Sequence, residues 1–341
     1  MRATSALRDG FRRVNGAPAM IAGMFAVTLL VALPLAIALR GMIEAHLGPS
    51  LAAASMADGT NYDWWQEFSA QATGLATTFV PSIIGFGAVL DNLGALMDNT
   101  KLATTIAGAT AAWMVIWSFL SGGVIDRLAR ARRTRSGAFF AACGVHFWRF
   151  LRLGVVAWVV YATLFGYVHG WIFSGGVEPL SRHVTVERTG LLIRLAGYLV
   201  FGALLVLCTI VFDYARVRIV VEDRRSAIGA LVAGTRFAWR NAGGVVALYL
   251  LNALAFLLVV VLYGVAAPGA PGGSLSLVLV LLLGELYILA RHYLKLVFYA
   301  SETAFFQGAL AHATYTAAPA VVWPDSPAAE SIANADGSAV L

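Results

Sequence analysis

The chain has 341 residues, 60% of them hydrophobic and 12% charged, with a mean hydropathy of +0.77 and a formal net charge of +6. That balance excludes an ordinary soluble domain and describes a polytopic membrane protein. It also excludes nucleic acid as a partner, because the basic residues sit beside apolar spans and form no single stripe.

Residues 1–15 carry Arg2, Arg8, Arg12 and Arg13 against Asp9. The uncharged run Gly16–Leu39 follows and, within residues 16–40, is long enough to cross roughly 30 Å of hydrocarbon. A cleaved signal peptide is the rival reading, with Ala36-Ile37-Ala38 as its cleavage site; the length of the run favours an uncleaved first helix. Residues 41–101 change character, with acids at Glu44, Asp58, Asp63, Glu67, Asp91 and Asp98. Ser69–Leu90 lacks charge but is diluted by Gln71, Pro81 and several Thr and Gly. It is expected as part of an external helical insert that dips into the interface through Phe79–Phe86. Trp64 and Trp65 suit the headgroup level, and Tyr62, Trp64, Trp65 and Phe68 are the candidate contacts for a membrane-protein partner.

Further spans are expected at residues 102–125, 153–176, 191–212, 243–265 and 274–297. Residues 177–190 form an external loop. The Pro- and Gly-rich stretch at 266–273 is an external turn, since Pro lacks an amide hydrogen and Gly costs helix entropy. Residues 126–152 and 213–242 are basic cytoplasmic elbow helices. Residues 298–341 form a cytoplasmic tail, mostly disordered from 314. In this topology all but five of the 24 Lys and Arg (Arg40, Lys101, Arg182, Arg188 and Arg194) lie on the cytoplasmic side, as the positive-inside rule requires.

Ser136–Ala157 aligns without gaps onto Ser226–Ala247, with identities that include Ser136/Ser226, Gly144/Gly234, Phe147/Phe237 and Gly154/Gly244. A looser third copy begins at Ala6-Leu7 with Gly10 and Asn15. The unit is a basic interfacial helix followed by a transmembrane hairpin. Such a helix lies flat, with rings in the acyl boundary and guanidinium groups on phosphates. Arg127, Arg130, Arg132, Arg133, Arg135, Arg149, Arg152, Arg236 and Arg240 are the candidate contacts to anionic headgroups of the bilayer, against the plainer reading of structural elbows.

Glu285 sits in the middle of the sixth span, in LLLGELYILARHYLK, where a carboxylate marks either a polar pathway or a buried partner. His292 and Lys295 follow on the same face. Pairing with Arg194 of the fourth span is the structural alternative. Cys143 and Cys208 have apolar surroundings and no CxxC spacing, so they read as packing residues. The sequence holds no HExxH, GxSxG or Walker lysine and no zinc-like spacing. Asp126-x-x-Ala129-Arg130 only faintly resembles the CDP-alcohol phosphotransferase motif, without its companion aspartates. No catalytic residue, metal or cofactor is expected.

The pattern Asp213-Tyr214-Ala215-Arg216, Glu222-Asp223-Arg224-Arg225-Ser226, Ala230, Phe237, Arg240-Asn241 resembles bacterial polytopic inner-membrane proteins similar to the membrane domain of glycerophosphodiester phosphodiesterases. The resemblance spans residues 135–306 and implies topology, not catalysis. The phosphodiesterase barrel that such domains sometimes carry has no counterpart in these residues. The sequence thus leads to an all-α integral membrane protein. It has six transmembrane helices as three hairpin repeats, amphipathic interfacial helices and one external helical insert. The expectation is a bacterial inner-membrane location with both termini cytoplasmic. The expected role is a non-enzymatic scaffold or accessory subunit. The alternative is a transporter or lipid-handling protein with a polar cavity centred on Glu285.

Overall fold

The computed structural model of the chain describes residues 2–48, 50–57, 61–80, 86–100, 104–131, 134–267 and 274–314. Met1–Phe306 form one unit and Gln307–Leu341 a second, of which residues 307–314 are described, as helix. The described residues are predominantly helical, with no strand among them. The expected turn at 268–273, the disordered tail from 315 on, and Arg132 and Arg133 lie outside the described residues.

Helix α1 (Ala3–Asn15) buries Ala6, Gly10 and Val14, spaced four apart on one face. Arg12 and Arg13 close its last turn, where cations complement the helix dipole. The chain breaks at Gly16, and Pro18 opens α2 (Pro18–Leu47), a position where its missing N–H costs nothing. Two short helices, α3 (Ala53–Ala57) and α4 (Tyr62–Gln71), follow, and Asn61 caps α4 by accepting from Trp64 N at 3.0 Å. Beyond them come a 3₁₀ turn at Gly74–Thr78 and α5 (Phe86–Met97).

Helix α6 (Thr104–Arg130) pairs with α7 (Ser136–Thr163). The close approach runs over Gly122 and Gly123: a Cβ on Gly123 would meet Cys143 Sγ at 2.5 Å and Phe139 O at 2.8 Å. Helix α7 continues without a break through a π turn (Leu164–Val168), α8 (His169–Ile172), a second π turn (Phe173–Val177) and α9 (Glu178–Ser181). Helix α10 (Glu187–Val221) pairs with α11 (Ala227–Arg240), which is capped by Ser226 Oγ accepting from Gly229 N. A break at Asn241 leads to α12 (Ala242–Ala266), and α13 (Ser274–Thr314) closes the described chain.

Among the described residues five helices are long and apolar enough to cross a membrane: Pro18–Leu47, Ala107–Arg130, Ser136–Ser181, Glu187–Val221 and Ala242–Ala266. They fit a multi-pass membrane protein. Helix α10, with 35 residues, is about 52 Å long, so it outruns a hydrocarbon layer of about 30 Å. The expected flat elbow before the third span is not a separate element, because residues 136–163 form one helix. Asn241 interrupts the corresponding stretch of the second copy, its Nδ2 donating to Phe237 O at 3.0 Å.

Two cores hold the unit. The larger gathers Val14, Ile125, Leu128, Phe150, Leu153, Phe212, Ala215, Ile219, Ala230, Leu296 and Ala300. The smaller stacks Trp64 and Phe68 against His46 and Phe79 at the far end of α2. Between these cores the helix flanks carry exposed Leu30, Ile37, Leu199, Leu207, Leu254 and Leu258, the surface a lipid solvent rewards.

Candidate functional site

Near the basic end the helices diverge around a cavity of about 960 Å³ bounded by α2, α6, α10, α12 and α13. Its polar side chains come from three helices at helical spacing. Asp213 and Arg216 lie one turn apart on α10, Tyr249 and Asn252 one turn apart on α12. On α13 Ile288, His292, Lys295 and Tyr299 share a single stripe with Arg291 beside it. Val206, Ile210, Leu250, Ala253, Phe256 and Ile288 supply an apolar wall.

Asp213 is 5% exposed. Its Oδ1 pairs with Arg216 Nη1 at 2.7 Å and its Oδ2 accepts from Tyr249 Oη at 2.9 Å. The same guanidinium nitrogen reaches Tyr299 Oη at 3.4 Å. One turn deeper, Asn252 Nδ2 donates to Ser301 Oγ at 3.1 Å, and Ser301 Oγ donates to Phe298 O at 2.9 Å. Lys295 Nζ stands 3.8 Å from the centroid of the Trp117 ring, a cation held by an aromatic face. Thr28 Oγ1 donates to Met24 O at 2.9 Å and lies 3.0 Å from His292 Nε2, so the imidazole supplies the hydrogen to that contact. Three basic side chains, Arg216, Arg291 and Lys295, thus line the cavity against one carboxylate, Asp213. Behind Asp213 lies Glu302, fully buried, with the Tyr249 hydroxyl, already bonded to Asp213, shared between the two carboxyls.

Of the intramembrane residues singled out by sequence, His292 and Lys295 line this cavity and Glu285 does not. Glu285 continues the α13 stripe one turn beyond Ile288, half-buried, its Oε2 without a hydrogen bond among the described residues. Arg194 is exposed, and no ion pair joins it to Glu285. Sequence reasoning missed Asp213, Arg216, Tyr249, Asn252, Tyr299 and Glu302. A signal existed in the first two: an acid and a base one turn apart, directly after an uncharged run.

The candidate headgroup arginines divide. Arg135, Arg152, Arg236 and Arg240 are exposed. Arg127 is turned inward, 7% exposed, and its Nη2 donates to Gly16 O at 2.9 Å, tying the α1–α2 break to α6. Arg130 pairs with Asp126 at 2.9 Å. Arg149 pairs with Asp223 in the α10–α11 turn, and its hydrogen bond holds that carboxyl below its usual range. Arg127 and Arg149 are therefore internal staples, a correction to their expected place on phosphates. Among the four aromatic candidates, Trp64 and Phe68 are 2% and 4% exposed and form the smaller core. They are corrected likewise. Trp65 is half-buried, its Nε1 donating to Phe79 O at 3.1 Å, and Tyr62 presents an exposed ring.

A second junction lies at the opposite end. Asn99, in a left-handed backbone conformation (φ 56°), donates from Nδ2 to Phe165 O at 2.8 Å, inside the first π turn. His169 Nε2 lies 2.9 Å from Met97 O, and Tyr198 donates to Asp98. The carboxyl end of α5 is thereby latched onto α8 and α10. Clusters of His, Cys, Asp or Glu able to hold a metal are absent among the described residues. No known protein family, curated protein or solved structure matches this chain.

Proposed function

We propose that this chain is a six-span inner-membrane protein that binds an anionic amphiphile in the cavity between α2, α10, α12 and α13. In this reading residues 274–297 are the sixth span and the basic end faces the cytoplasm. The one observation that supports it is the lining: Arg216, Arg291 and Lys295 share a cavity with an apolar wall that includes Val206, Leu250 and Phe256. A soluble anion has no use for Phe256, Leu250 and Val206. A lipid uses both halves, chains along the apolar helices and headgroup on the cations. This places the handling of lipid, the alternative role considered from sequence, ahead of scaffolding, and moves its centre from Glu285 to Arg216 and Lys295. The latched α5 segment favours scaffolding as a second reading, since it fixes the insert rigidly for a partner.

The test is mass spectrometry of what the protein retains after gentle extraction from its native membrane. Wild type should keep an anionic lipid out of proportion to its abundance. The double variant Lys295→Gln, Arg291→Gln should keep it about tenfold less well or worse, the loss expected from charge-assisted hydrogen bonds. Filling the apolar wall with Ala253→Phe should abolish retention without altering charge. Retention in simple proportion to the bulk membrane overturns the proposal, and a stoichiometric protein partner without lipid supports the scaffold.

A further inference from the structure

Glu302 is the least explained group in the molecule. It is fully buried on α13, and the one hydroxyl beside its carboxylate, that of Tyr249, already donates its hydrogen to Asp213 Oδ2. A charged carboxylate placed so bears a large desolvation cost with no donor of its own to offset it. The groups around it can be named for every element packed against it. From α10 come Asp213, Tyr214 and Arg216; from α12 Tyr249; from α13 itself Tyr299. Helix α1 packs its Gly10 on Ser301, and α11 brings the Phe237 ring onto Phe306. Asp213 holds the Arg216 guanidinium, which lines the cavity and reaches Tyr299, the residue one helical turn before Glu302.

We infer that Glu302 couples protons to ligand binding, an inference that rests on the cavity's reading as an anion site. With a proton on Glu302, Asp213 alone draws on Arg216, and the positive lining has charge to spare for a headgroup. When Glu302 gives its proton to water, a second negative charge stands beside Asp213. Arg216 is then neutralised from behind and the headgroup is repelled. Binding and protonation favour each other: affinity for the anion rises as pH falls, and binding above the titration of Glu302 takes up one proton from solvent. The only bond made is the O–H of the acid. Such coupling lets a pH difference load and unload the site.

The experiment measures binding of a short-chain phosphatidylglycerol, whose phosphodiester stays ionised throughout, to the full chain in phosphatidylcholine nanodiscs. Affinity is followed from about pH 6 to about pH 9.5, where one linked proton changes it by at most about tenfold per pH unit. Wild type should weaken as pH rises, and Glu302→Gln should bind with the low-pH affinity throughout. His292 and Lys295 also line the cavity, so both profiles are read in a Lys295→Arg, His292→Gln background, where a fall that Glu302→Gln removes belongs to Glu302. A flat wild-type profile, or a Glu302→Gln profile that falls like wild type, overturns the coupling while leaving the anion site standing. Absence of binding at every pH overturns the anion site itself. If Glu302→Gln fails to fold, proton uptake by wild type decides in its place, read with an indicator dye in weak buffer. Uptake approaching one proton per lipid at the alkaline end supports the coupling, and none overturns it.

Discussion

Gly144 and Gly234 align in the internal repeat, yet they stand in opposite surroundings. A Cβ on Gly234 would lie 3.0 Å from Ala215 N, 3.2 Å from Val211 O and 3.3 Å from Ala215 Cα, all backbone of α10. Backbone in a packed helix has no rotamer with which to yield, so Gly234→Ala must push α11 off α10. Overpacking of this kind costs about 1–3 kcal/mol, and the gain of up to about 1 kcal/mol in helix propensity offsets part of it. A net loss of about 1–2 kcal/mol is expected. Nothing lies within 4 Å of a Cβ on Gly144, so Gly144→Ala should be neutral or stabilising by up to about 1 kcal/mol. In the first copy the tight glycine sits instead on the partner helix, at Gly123 of α6. The assay is denaturant unfolding in detergent micelles, read by maleimide labelling of Cys143, which is fully buried in the folded chain. Equal losses at the two positions would show that α11 does not pack on α10 as described.

Two further predictions concern the ends of the bundle. At the α10–α11 turn, burial works against the charge of Glu222, but hydrogen bonds from Arg218 and Arg224 outweigh it and hold the carboxyl below its usual range. Its contribution to stability is complete above the unfolded value of about 4.5 and is lost as pH falls through the lower native value. Acid unfolding of Glu222→Gln should be less steep than that of wild type across that window, and identical slopes would count against the pairing. At the opposite end, Asn99→Ala removes the donor to Phe165 O and strains a left-handed residue, costing about 1–2 kcal/mol. Hydrogen exchange in α5 should speed up while that in α11 stays unchanged; a uniform change across the chain would refute the latch.

The sequence makes the helical class plain because long uncharged runs and basic flanks are dictated by the bilayer, a solvent that acts on each segment separately. Where each polar side chain ends up depends on neighbours far along the chain, and there composition is silent. Arg127 and Arg152 look alike as residues beside apolar runs, yet one reaches back to Gly16 and the other is exposed. Glu285 drew notice because its flanks, Leu281-Leu282-Leu283-Gly284 and Leu286-Tyr287-Ile288-Leu289, are free of charge. Glu302 escaped notice because Ser301 and Thr303 beside it gave the look of a polar tail. The mark that distinguishes it is the aromatic and alanine run on either side, Phe298-Tyr299-Ala300 and Ala304-Phe305-Phe306, which keeps α13 in the core past the expected end of the span. The break at Asn241 falls where the two copies differ, since Leu151 stands at the aligned position and carries no amide to bond the preceding turn.

The two π turns in the third long helix act as phase shifters. Each takes in one residue more than an α turn, so all that follows is rotated by about 100° about the helix axis. His169 and Phe173, which stack on each other and meet Phe201, and Val177, which closes on Gly197, owe their facing to that added rotation. A one-residue deletion within 164–168 would leave a sound helix of ordinary pitch, yet swing this aromatic seam out toward lipid. The segment therefore tolerates a change of length as a helix and does not tolerate it as a lock, so the two properties are separable at a single codon.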